Sequence, residues 1–306
     1  MFRQRVPAAA GPPGRLAAMF WQLVASGLAT GCVYALVALG LTLIYRATEH
    51  VNFAQGELAM VGAFLGFTLH AHVHLPVWAA VAGGALLGGL VGWACELAVI
   101  RPAEGQPHFN VFIITLGLSI VLKSLAGMVW SHDEFPFPPL FSPRGVHLGP
   151  VVVTPLNLGT IAVALGIMVG LFAFFKYTRH GVAMRAVCEN PEAAQLMGVE
   201  VRRVYAAAWI LSAGLSALAG ALIAPVLNLS THMGAVVIPA FAAAILGGWG
   251  SFPGAIAGGM ALGVIENLAG GYLAGQVKNM VPFLVVLGVL VVRPQGLLGE
   301  REVRKV

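Results

Sequence analysis

The sequence predicts an all-α, polytopic integral membrane protein of about eight transmembrane helices, one or more of them broken or halved. Three observations carry that prediction. Hydrophobic residues make up 58% of the chain and charged residues 9%, with a mean hydropathy of +0.87, so a soluble domain of 306 residues would lack the ionised surface it needs. Two long stretches, 31 residues at 145–175 and 62 at 204–265, contain no Asp, Glu, Lys or Arg. Between them a polar island, 176–203, gathers Lys176, Arg179, Arg185, Arg202 and Arg203, five of the 17 basic residues.

A helix crossing hydrocarbon needs about 20 mainly apolar residues, because its backbone has only itself to bond with. Residues 1–15 are basic and rich in Pro, Ala and Gly, and the segment 1–18 is expected to be a short N-terminal tail. The apolar run that follows is too long for a signal-peptide core, so the first span, near 20–45, is expected to be retained. The next span, 55–71, is entered through VNFAQGEL (51–58), which sets Asn52, Gln55 and Glu57 where facing lipid would be costly. Two compatible readings follow: Asn52 caps the helix with Gln55 as its pair, and the three residues face the protein interior or an aqueous path.

His70, His72 and His74 fall at the turn before the third span, 76–99, with no acidic residue near them in sequence. They read as a solvated loop rather than a metal site. Gly84, Gly88 and Gly92 repeat at the spacing that lets helices pack closely. The fourth span, 109–130, carries Lys123, whose stem can reach an interface. The loop 131–154 holds the acidic pair Asp133 and Glu134 against one basic residue, Arg144.

The fifth span, 155–175, leads into the island, which the excess of Lys and Arg in cytoplasmic loops places inside. That puts the 131–154 loop outside and Arg101 inside. Counting back through single crossings leaves the N-terminal tail outside despite Arg3, Arg5 and Arg15, so a segment near 46–71 is expected not to be a simple crossing. After the span at 204–225, an apolar run stops at GGWGSFPG (247–254) and resumes within the region 236–272. Either this is a discontinuous helix, whose freed end can face an anionic ligand, or the glycines let two helices pack face to face. Gly254 with Gly258, and Gly259 with Gly263, share that close-packing spacing, and Glu266 is the acid on the flank. The last span, 279–292, precedes a basic tail, 295–306, with Arg301, Arg304 and Lys305. A cytoplasmic position for this tail and Arg293 requires 236–272 to leave and return. The membrane domain is thus drawn at 19–294, with 176–203 as a cytoplasmic loop.

Several function classes recede. A net charge of +5 and a pI near 9.4 fit loop bias rather than nucleic-acid binding. Cys32, Cys95 and Cys188 are too scattered for a disulfide framework or zinc site. A membrane enzyme finds support only in the histidine run. A secondary transporter or channel for small polar solutes, working without an ATPase, also has Gly-rich broken helices and buried acids, and it stays as the alternative.

Four blocks in order resemble the permease subunits of bacterial branched-chain amino acid ATP-binding-cassette (ABC) importers: ALGLTLIYRATEHVNFAQGELAMVGAF (38–64), the island with AGLSALAGAL (213–222), AFAAAILGGWGSFPGAIAGG (240–259) and RPQGLLG (293–299). The resemblance covers about residues 20–299. It implies a bacterial cytoplasmic (inner) membrane location and an EAA-type coupling helix, matched by Glu192, Ala193, Ala194 and Gly198, that inserts into an ATPase. The pattern usually following that helix is absent, the stretch reading AWIL (208–211). Asn190 as a cap, Pro191 in the first turn and Gly198 as a terminator make a short helix there physically sensible.

The same resemblance implies two ATPase subunits, a second permease (paralogue or copy), an extracytoplasmic solute-binding protein and alternating access. No G-x-x-x-x-G-K-[ST] phosphate loop occurs in the sequence, and on this reading the chain is not an enzyme and needs no cofactor of its own, ATP being bound by its partners. The translocation path is expected at Asn52, Gln55, Glu57, the break with Gly247, Gly248, Gly250 and Gly254, and Glu266. Related systems carry amino acids, short amides, urea and small carboxylates.

Overall fold

A computed structural model describes residues 13–103, 105–142, 145–148, 151–273 and 275–299. The basic residues Arg3, Arg5, Arg144, Arg301, Arg304 and Lys305 lie outside these. Helices dominate: α1 (Pro13–Thr48), α2 (Gln55–Ala71), α3 (Val77–Cys95), α4 (His108–Trp130), α5 (Pro155–Tyr177), α6 (Arg179–Glu189) and α7 (Pro191–Leu196) form the first part. Then come α8 (Val201–Leu227), α9 (Val237–Gly247), α10 (Phe252–Tyr272), α11 (Gly275–Lys278) and α12 (Val281–Val292). Among the described residues six helices are long and apolar enough to cross a membrane, and α2, α12 and the segment Met233–Gly247 are shorter. A small antiparallel hairpin, β1 (Val146–Leu148) and β2 (Val151–Val153), decorates the loop before α5 without changing the all-α class.

α1 is the central element. Its residues Cys32–Leu39 are buried on every side, as an all-round apolar helix must be when neighbours rather than lipid surround it. It packs on α5, α8, α9 and α10. It begins at Pro13, inside the stretch expected to be tail, and its outer end shares a hollow with Thr154 and Asn157 at the start of α5. The end of α1 at Pro13 therefore lies opposite the island.

The expectation that 46–71 is not a simple crossing needs refinement. The chain does return through α2, but it first doubles back through 49–54. Ser212 and Ser216, which straddle the middle of α8, hydrogen-bond to Gln55, so α2 begins halfway through the bundle. The region 236–272 leaves and returns as expected: α9 runs towards the island end, and α10 runs back.

Glycine seams explain how the helices approach so closely. A Cβ on Gly84 would lie 2.8 Å from the Gly66 Cα of α2, and one on Gly92 would lie 2.3 Å from the Ala213 Cβ of α8. Gly259 and Gly263 press in the same way on Ala35 and Gly31 of α1. Without a hydrophobic drive between helices in lipid, such backbone contact supplies the dispersion energy of association. The spacings at Gly84, Gly88 and Gly92 and at Gly259 and Gly263 are therefore helix seams.

Candidate functional site

The island folds into two short helices held by local caps. The Thr178 hydroxyl accepts the Gly181 N–H at 3.0 Å and opens α6. Asn190 is extended, its Oδ1 accepts the Ala193 N–H at 2.9 Å, and Pro191 takes the first turn of α7, where a missing N–H costs nothing. Gly198, at φ +84°, ends the helix as its N–H meets the Gln195 carbonyl at 3.0 Å. Ala194 faces inward and is buried. Glu192 and Ala193 are exposed, and Leu196 and Met197 stand 89% and 85% exposed at the tip.

Asn52 and Gln55 sit in the interior. Gln55 Nε2 donates towards Ser212 Oγ at 2.8 Å, Ser216 Oγ at 2.6 Å and the Ser212 carbonyl at 3.1 Å, while its Oε1 accepts from Asn52 Nδ2 at 2.9 Å. Ser212 Oγ passes the chain on to the Gly40 carbonyl at 2.7 Å, so the network ties α1, α2 and α8. The expected capping pair takes another form: Asn52 Oδ1 accepts from the Ala54 N–H, and the two side-chain amides bond each other. Asn52 also borders a 400 Å³ hollow lined mainly by Leu41, Phe53, Phe241, Phe283 and Val286. Glu57 points at Gly234 just before α9, and its buried Oε2 has no partner among the described residues.

The break between α9 and α10 has a different character. A Cβ on Gly247 would lie 1.9 Å from the Gly254 carbonyl, so the two helices fold back on each other, the close-packing alternative. Gly248, at φ +112°, and Gly250, at φ +83°, make the turn. The Leu297 and Leu298 N–H groups then donate to the Leu246 and Gly247 carbonyls, both at 2.8 Å. Residues 295–299, drawn as tail, are thus built into the bundle and occupy the freed end of α9.

Glu266 is separate from both clusters. It borders a 560 Å³ cavity in the outer half of the bundle, where Tyr34 Oη donates to its Oε1 at 3.2 Å and Lys278 Nζ stands 3.9 Å away. The structure therefore gathers Asn52, Gln55 and Glu57 near the start of α9, and leaves the glycine break and Glu266 elsewhere. Sequence reasoning missed Ser212, Ser216, Tyr34 and Lys278. The serines, four apart in the uncharged stretch of α8, gave a signal; Tyr34 and Lys278 gave none.

A many-spanned bundle with interior polar clusters and a capped, exposed helix on its polar island has the make-up of a membrane permease. The chain belongs to the family described as branched-chain amino acid transport system, permease component, which it matches over residues 23–290. It is 33% identical to the high-affinity branched-chain amino acid transport system permease protein LivH of Escherichia coli, over 94% of this chain and 98% of that one. It is similar also to the permease protein BraD of Pseudomonas aeruginosa, at 32% identity over the same shares. A third relative is a probable branched-chain amino acid transport permease protein of Methanocaldococcus jannaschii, 30% identical over 86% and 88%. All three are named as transport permeases.

Proposed function

We propose that this chain is the membrane-spanning half of an ABC importer for branched-chain amino acids in the bacterial cytoplasmic membrane. One of two ATPase subunits docks on the coupling loop, a second permease engages the other and completes the path, and a solute-binding protein delivers the substrate from outside. One observation supports the coupling role: Glu192 and Leu196 of α7, with Met197 just after it, are exposed at the tip of the island, and the two exposed apolar side chains fit the cleft of a partner. The substrate class is supported by the named relatives, which match almost the whole chain.

Alternating access then needs no chemistry in this subunit. Closure of the ATPase dimer on ATP moves α7, α6 transmits the movement to the feet of α5 and α8, and the permease pair changes the side to which it opens. The path is proposed at Asn52, Gln55, Glu57 and the cavity beside Glu266; the glycine break supports the turn that joins α9 to α10.

Gentle purification of the tagged chain from its native membrane, followed by mass spectrometry, tests the reading. Two ATPases and a second permease are expected, and replacing Glu192 or Gly198 with a bulky residue should release the ATPases. Recovery of the chain alone, moving leucine in liposomes without ATP, would overturn the reading in favour of a secondary transporter or channel.

A further inference from the structure

Glu266 poses an unsolved problem of charge. Glu266 is 5% exposed, yet only one of its oxygens is engaged. Oε2 is buried with no partner among the described residues, and Lys278 Nζ stops 3.9 Å short of Oε1. A closed ammonium–carboxylate pair would sit at about 2.8 Å. Leaving a buried carboxylate half-satisfied is expensive, and Glu266 lines a cavity from which a ligand could complete it.

The surroundings say what that is. The cavity holds 560 Å³, within the roughly 300–1,000 Å³ common for small-molecule sites. Its polar groups converge from three elements: Tyr34 of α1, Asn157 and Thr160 of α5, and Glu266 and Asn267 of α10. The rest of the wall is apolar, with Val33, Leu222, Ile223, Val236 and Phe283. One carboxylate and one ammonium, held apart beside a greasy wall, are the mirror image of a zwitterion with an aliphatic side chain. The cavity opens in the outer half, where His232 of the loop after α8 and Lys278 of α11 border it.

From this geometry we infer a receiving subsite for an aliphatic α-amino acid: the Glu266 carboxylate accepts its ammonium, Lys278 takes its carboxylate, and the wall from α1, α8 and α12 covers its side chain. Tyr34 is a positioning residue, fixing the Glu266 rotamer through Oε1. The inference rests on the amino-acid permease reading above and adds to it the place and polarity of binding.

The test is equilibrium binding of radiolabelled leucine to the purified permease–ATPase complex in nanodiscs, without solute-binding protein. The competitors are 3-methylbutylamine, which is leucine without its carboxylate, and 4-methylpentanoate, which is leucine without its amine. Glu266→Gln and Lys278→Gln are each expected to weaken leucine binding by about tenfold or more, the loss of one charge-assisted hydrogen bond. The competitors should separate the two roles: E266Q weakens the amine and spares the acid, and K278Q does the reverse. A purely structural ion pair would not produce that crossed pattern.

Lys278, at 37% exposed, tolerates replacement, so K278Q carries the test if E266Q does not assemble. Wild-type leucine and competitor affinities in both assembled variants would overturn the subsite. So would phosphatidylethanolamine retained by the wild type and lost from E266Q with leucine binding unchanged, which would make the site a headgroup pocket. Failure of the whole importer, given binding protein and ATP, to accumulate leucine would instead overturn the functional reading.

Discussion

Replacing Gln55 by Ala perturbs the polar network that ties α1, α2 and α8. The side chain is fully buried, and its amide holds Asn52, Ser212 and Ser216 at once. Interhelical hydrogen bonds in membranes average about 0.6 kcal/mol and reach about 1.7, so three partners amount to about 2 kcal/mol. The void left by the amide adds about 1–2 kcal/mol where the seam cannot collapse. Q55A should therefore cost about 3–4 kcal/mol, and Ser216→Ala alone about 0.6 kcal/mol or slightly more. The assay is unfolding of the purified chain in mixed micelles by titrated sodium dodecyl sulfate, followed by circular dichroism. A double-mutant cycle isolates the bond at 2.6 Å, with a coupling energy of about 0.6–1.7 kcal/mol expected. Additivity of the two changes to within about 0.3 kcal/mol would refute the reasoning, because it would mean the amide and the hydroxyl do not meet.

Three further outcomes are expected. Gly198→Val forces a β-branched residue to φ +84°, at a cost of about 1–2 kcal/mol, which should unravel the end of α7 and reduce ATPase co-purification while the membrane bundle persists by circular dichroism. Arg101→Ala strands Glu96, which is 1% exposed and now holds two hydrogen bonds from that guanidinium at 3.0 and 3.1 Å; the loss should be about 3–5 kcal/mol in the same unfolding assay, and Glu96→Gln combined with R101A should recover part of it. Burial pushes the Cys188 thiol on α6 above its ordinary range, Arg46 opposing and Glu189 adding. Since only the thiolate reacts, maleimide labelling should be slower than for free cysteine near pH 7.5 and accelerate above the usual thiol range, and Arg46→Gln should slow it further. Labelling at the free-cysteine rate near neutrality would contradict that placement.

The legible parts of this fold are those whose causes are local. Asn190, Pro191 and Gly198 announce α7 because capping acts within one turn, and Gly84, Gly88 and Gly92 announce a seam because only a small-residue face permits backbone contact. Pairings across long separations stayed hidden. Gln55 finds Ser216 at a separation of 161 residues and Glu266 finds Tyr34 at 232; the spacing of Ser212 and Ser216 marks them but not their partner, and Tyr34 does not differ from the aromatic residues that merely fill space. The glycine break could be read two ways, since an opened helix end and a tight hairpin use the same residues. What decides is RPQGLLG (293–299), whose backbone lies against Gly248, and its role there depends on hydrogen bonds that no spacing reveals.

The glycine seams also constrain how the protein can move. Where a Cβ at Gly259 would lie 2.6 Å from the Ala35 backbone, and one at Gly220 2.2 Å from the Ala59 carbonyl, two helices interlock like gear teeth, and sliding either by a residue drives a side chain into a main chain. α1, α2, α3, α8 and α10 consequently behave as one stiff block. On the proposed function, a change of access is then a rocking of this whole block, with the compliance confined to the edges: the short α9, the lightly packed α12 and the island helices α6 and α7.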